Sequence, residues 1–122
     1  MGKDLNIAML LDFYGELLTK KQEEALNLYY NEDLSLAEIA EPLGITRQGV
    51  RDTIKRGEKQ LYDLEEKLGL AKRFRDVKSE VFEIQEMFDE VREYVDSFIH
   101  SARLSEATKK ISDRLSSVSD KL

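Results

Sequence analysis

Residues 36–55 read LAEIAEPLGITRQGVRDTIK, and the fold is decided there. Two helices that cross steeply need a small residue where they touch, a turn residue tolerant of positive φ, and apolar residues on the shared face. Ala40 is the small residue, Gly44 the turn four residues on, and Ile39, Leu43, Ile45, Val50 and Ile54 the apolar set. This is the arrangement of a helix-turn-helix; the blander alternative is a generic helical hairpin. Ser35 with Glu38 makes a capping box at the start of the first helix, in which side chain and backbone satisfy each other's free donors. Thr46 caps the second helix. Pro42 falls inside the first, where proline removes a backbone bond and crowds the carbonyl four residues back, that of Glu38. That helix either kinks or starts late enough to accommodate it.

Working upstream, Thr19 and Gln22 form another capping box, opening a helix over roughly 20–30 with Ala25, Leu26, Leu28, Tyr29 and Tyr30. Tyr29 and Tyr30 read as packing residues. Asn31, Glu32 and Asp33 form the loop before Ser35. A first helix over roughly 4–18 presents Ile7, Leu10, Leu11, Tyr14, Leu17 and Leu18 on one face.

Working downstream, all six glycines and Pro42 lie in the first 69 residues, so the remainder reads as long, unpunctuated helix. Apolar residues recur in steps of three and four through Val50, Ile54, Gly57, Leu61, Leu64, Leu68 and Ala71. A second block runs Phe74, Val77, Val81, Ile84, Phe88, Val91, Val95, Phe98, Ala102, and a third Leu104, Thr108, Ile111, Leu115, Val118, Leu122. The phase slips near 72–73 and 102–104, which rotates the seam by about 100°. The expected helices are 46–70, 72–100 and 104–119, the middle one about 45 Å long at ~1.5 Å per residue. No stretch alternates like a half-buried strand. The fold class is all-α, with a helix-turn-helix domain over 1–70 and a long-helix extension over 71–122.

The chain has 122 residues, 19 Lys+Arg, 25 Asp+Glu and a net charge of −6. Its acidic total disfavours an indiscriminate nucleic-acid binder, whose affinity comes from neutralising phosphates. The charge is unevenly placed, however. Residues 1–45 hold three bases and nine acids, whereas residues 46–59 hold five bases and two acids. In a helix-turn-helix the second helix lies in the DNA major groove with its N-terminal residues on base edges. Its outward residues here are Thr46, Arg47, Gln48, Arg51, Asp52, Lys55, Arg56 and Lys59. Arg47 or Arg51 suits guanine and Gln48 adenine, through paired hydrogen bonds. Lys55, Arg56 and Lys59 suit phosphates, as does the Thr46 hydroxyl at the helix start. The alternative is a solvated row in which Asp52 and Glu58 neutralise Arg51 and Lys55.

Other classes fare badly. The absence of cysteine removes disulfides, thiolate metal sites and a Cys nucleophile. His100 is alone and reads as a surface residue; there is no Glu-x-x-His pair, phosphate-cradling glycine loop or nucleophile motif. No enzyme, cofactor or metal is expected. No apolar run approaches the ~18–20 residues of a membrane span. The N-terminal MGKDLNIAML has charges within its short apolar stretch and makes a poor signal peptide, so the expected location is the cytoplasm.

The segment from Leu10 to Leu68 resembles the YlxM-type family, small bacterial proteins similar to region four of sigma factors. The residues that carry the resemblance are DFYGELLTKKQ, LYYNEDLSLAEIA and TRQGVRDTIKR. It implies an all-α, sigma region-four-like helix-turn-helix. It also implies a link to the signal recognition particle pathway, either as a DNA-binding regulator or as an accessory factor of the particle. The resemblance does not reach residues 71–122. There, Phe74, Val81, Phe88, Val95 and Ala102 form heptad set a, and Val77, Ile84, Val91 and Phe98 set d. Parallel two-stranded coils favour β-branched residues at a and leucine at d, a poor fit here. A helical hairpin or antiparallel dimeric bundle fits better, and a homodimer is expected, since paired half-sites double the DNA contacts. The alternative is an intramolecular bundle covering the first half.

Overall fold

The structure is a computed structural model that describes residues 6–122. Among them are six α-helices: α1 (Asn6–Tyr14), α2 (Lys20–Tyr30), α3 (Leu36–Leu43), α4 (Arg47–Leu68), α5 (Leu70–Phe98) and α6 (Ala102–Asp120). A short 3-10 turn, Gly15–Leu17, joins α1 to α2. The fold is all-α, with no strand among the described residues. The expected start of the first helix at residue 4 lies outside them. The chain divides into two compact units, Met1–Lys72 and Arg73–Leu122.

In the first unit α4 is the hub, touched by α1, α2 and α3. Its side chains Val50, Ile54 and Leu61 are fully buried with Ile7, Leu26 and Ile39. Both expected capping boxes form. Thr19 Oγ1 accepts from Gln22 N at 3.2 Å and Thr19 N donates to Gln22 Oε1 at 3.2 Å. Ser35 Oγ accepts from Glu38 N at 3.1 Å and Ser35 N donates to Glu38 Oε1 at 3.3 Å. α2 and α4 pack tightly at Gly57: a β-carbon there would stand 2.7 Å from Leu26 Cδ1. Leu17 departs from the sequence reading. Its helix ends at Tyr14, and the tighter turn that follows rotates Leu17 outward, leaving it 60% exposed.

Gly69 ends α4 with φ 62°, in the left-handed region. The helix resumes at Leu70, earlier than the expected residue 72, because α5 is capped from a distance. Glu65 turns back on the first turn of α5, accepting from Ala71 N at 3.1 Å and Lys72 N at 3.0 Å. Tyr14 Oη donates to the same carboxylate at 2.6 Å and accepts from Leu70 N at 3.1 Å. A carboxylate among free N–H groups at a helix start is stabilised by both hydrogen bonds and the helix dipole. Burial, then the Glu65 hydrogen bond, pushes the Tyr14 hydroxyl pKa above its usual 10.0.

The second unit is an antiparallel hairpin of α5 and α6. Arg92 Nη1 donates to Ser112 Oγ at 3.1 Å, and Ser105 Oγ donates to Asp96 Oδ1 at 3.4 Å. Ser101 caps α6, accepting from Leu104 N at 3.3 Å, so the break falls at 99–101 rather than 102–104. Phe74, Val81, Phe88 and Val95 of set a are buried or half-buried. Ala102 lies beyond the break and is exposed. Set d stays outside: Val77, Ile84, Val91 and Phe98 are all exposed. On α6 the buried and half-buried row is mostly Ser and Thr, while Leu104, Ile111 and Val118 face outward.

Candidate nucleic-acid interface

The helix-turn-helix is α3 and α4. Its turn is a Schellman closure: Gly44 N donates to Glu41 O and Ile45 N to Ala40 O, both at 3.2 Å. Gly44 takes φ 65°, which costs glycine nothing. Ala40 and Ile45 then join the core edge beside Leu43. Pro42 is the next-to-last residue of α3, so the only bond it deletes is the one to Glu38 O near the helix end. The helix forms around it.

Thr46 caps α4 as expected, its hydroxyl accepting from Gly49 N at 2.9 Å. Thr46, Arg47, Gln48, Arg51, Asp52, Lys55, Arg56 and Lys59 are all exposed, on the side of α4 away from Val50, Ile54 and Leu61. Both acids of the segment are engaged elsewhere. Gln48 Nε2 donates to Asp52 Oδ1 at 3.0 Å, one helical turn on. Glu58 accepts from the Tyr30 hydroxyl of α2. Among the described residues, no carboxylate pairs with Arg47, Arg51, Lys55, Arg56 or Lys59; the ion pairs seen are Arg92–Asp96 and Lys110–Glu106.

Two features of this surface escape the sequence reading. The first is the Gln48–Asp52 bond, which orders the amide assigned to adenine; the i, i+4 spacing of a donor and an acceptor was the available signal. The second is Lys21. It lines a cleft of about 230 Å³ with Thr19, Gln22, Thr53 and Arg56, so the start of α2 adds a base beside α4. The signal was the lysine pair directly after the Thr19 cap. His100 is exposed, in the 99–101 link.

Comparison with known proteins places this geometry. A family model described as "Putative helix-turn-helix protein, YlxM / p13 like" matches residues 1–100. The match reaches past Leu68, where the sequence resemblance ends, and takes in α5. A UPF0122 protein of Acetivibrio thermocellus is 57% identical over 84 residues, covering 69% of this chain and 72% of its own length. One from Clostridium perfringens strain SM101 is 44% identical over 103 residues, covering 79% and 92%. Another, from Desulforamulus reducens, is 48% identical over 83 residues, covering 68% and 71%. The chain belongs to the UPF0122 family of YlxM/p13-like helix-turn-helix proteins.

Proposed function

We propose that this protein binds duplex DNA, with the N-terminal half of α4 in the major groove, and regulates transcription in the signal recognition particle pathway. One observation carries the reading: five exposed cations on α4 lack a carboxylate partner among the described residues, while Asp52 and Glu58 are held by Gln48 and Tyr30. A structural surface row gains from i, i+4 pairing; one kept free of it suits an external polyanion. Arg47, Gln48 and Arg51 near the helix start are assigned to base edges. Lys55, Arg56 and Lys59, with Lys21 of α2, are assigned to phosphates. The location that goes with this role is the cytoplasm. Among the described residues, no helix is long and apolar enough to cross a membrane.

The test is the salt dependence of binding to short duplexes. Affinity falls with a log–log slope of about −0.9 per phosphate neutralised, so three to four contacts give a slope of about −3. A flat dependence refutes the proposal. A second reading, an adaptor of the signal recognition particle, is favoured by α5, where residues 80–98 carry seven acids and one base. That reading predicts particle binding that survives loss of Arg47 and Arg51.

A further inference from the structure

The second unit lacks a core of its own. Across Arg73–Leu122 the buried side chains are Val95 and Thr108. A second set of its large apolar residues is presented outward, on a seven-residue repeat in both helices: 77, 84, 91 and 98 on α5, and 104, 111 and 118 on α6. Such a repeat is the seam of a helical bundle. On each helix the outward residue follows an inward one by three positions, as Val81 to Ile84 on α5 and Thr108 to Ile111 on α6. The two rows are therefore rotated in the same sense, and in an antiparallel pair same-sense rotations fall on the same side. The Arg92–Ser112 and Ser105–Asp96 bonds fix the register. Phe98 lies level with Leu104, Val91 with Ile111, and Ile84 with Val118. With Met87 and Tyr94, 60% and 58% exposed, the face amounts to roughly 900 Å². A monomer's largest patch is usually ~300–600 Å², and a standard interface buries ~800 Å² per partner.

We infer that this face is covered by a second copy of the chain, giving an antiparallel four-helix bundle in which α5 of one copy lies over α6 of the other. Charge selects both occupant and arrangement. The residues just before the α5 row are acidic, Asp76, Glu83 and Glu90, and those before the α6 row are basic, Arg103 and Lys110. All are exposed; Lys110 also lies 3.6 Å from Glu106 on its own helix. A two-fold axis perpendicular to the helices stacks acidic α5 on acidic α5. A two-fold axis parallel to them sets α5 on α6 twice over, acid against base, and keeps each level intact. The three layers 98/104, 91/111 and 84/118 then each close with four residues, two from each copy, and Val77 adds one residue from each copy beyond them. The inference is independent of DNA binding.

The test uses the full chain. Sedimentation equilibrium should give twice the 14.1 kDa chain mass, and Val91→Glu/Ile111→Glu should return it to one chain. The protein has no cysteine, so Val91→Cys and Ile111→Cys variants report the pairing without background. On oxidation, a mixture of the two should cross-link faster than either alone. A single-chain mass at every concentration overturns the inference, including the case in which some other molecule covers the face. So does a dimer in which Val91→Cys alone cross-links as fast as the mixture.

Discussion

Tyr14→Phe removes one oxygen from a fully buried ring and leaves the ring itself in place. That oxygen donates to Glu65 at 2.6 Å and accepts from Leu70 N at 3.1 Å. A hydrogen bond to a charged group contributes about 1.5–3 kcal/mol, and the partly buried Leu70 N–H also loses its acceptor. Relaxation of Glu65, which keeps Ala71 N and Lys72 N, offsets part of it. The expected destabilisation is about 2 kcal/mol. For a unit of this size that is a fall in Tm of roughly 10 °C. Near-UV circular dichroism is the suitable probe, because Tyr14, Tyr29, Tyr30 and Tyr62 all belong to the first unit and only Tyr94 lies outside it. A double-mutant cycle with Glu65→Gln should give a coupling of at least about 1 kcal/mol. A loss below about 0.5 kcal/mol, or additive effects, refutes the claim that Tyr14 and Glu65 jointly hold the start of α5.

Alkaline stability follows from the same tyrosine. Its folded pKa lies above its ordinary 10.0, so above about pH 10 the unfolded chain loses a proton that the folded chain keeps. Stability is thus full below pH 10 and falls as pH rises through the folded value; a pH titration of Tm should show this decline, and Tyr14→Phe should remove it. Gly57→Ala gains ~1 kcal/mol of helix propensity but forces a methyl within 2.7 Å of buried Leu26. Overpacking of ~1–3 kcal/mol prevails, and urea unfolding should show a net loss of about 1 kcal/mol. Gly44→Ala meets open space but must hold φ 65°, so a loss of about 1–2 kcal/mol is expected by the same assay.

The parts of the fold that sequence reading captured are those written within a few residues. Each capping box is a pair of side chains three apart, and each appears with both bonds made. The turn at Gly44 needs only a residue free to take positive φ, followed by an apolar residue to close it. The Tyr14–Glu65 contact spans 51 positions, and no local pattern announces it. Leu17 leaves the apolar face that its spacing predicts, because three residues of tighter helix alter the rotation on which that face depends. On α5, periodicity identified both heptad rows but gave no means of telling which one meets α6. That depends on the rotation of α5 about its own axis, which turns Arg92 towards Ser112. At the candidate interface, the exposure of Thr46 and the seven α4 residues named with it follows from charge and spacing. The engagement of Glu58 by Tyr30 was not, since it joins α2 to α4 across 28 positions.

The central claim is that α4 reads DNA, and a selection from sheared genomic DNA of the source organism tests it most directly. The retained fragments are sequenced for the intact protein and for Arg47→Ala/Arg51→Ala, whose side chains are exposed and whose loss leaves the core of α4 untouched. The account predicts an enriched sequence motif with the intact protein. The variant should lose it, while the salt slope, set by the phosphate contacts of Lys55, Arg56, Lys59 and Lys21, stays near its intact value of about −3. If neither protein enriches any sequence at low salt, or both enrich the same one equally, α4 is not the reading element.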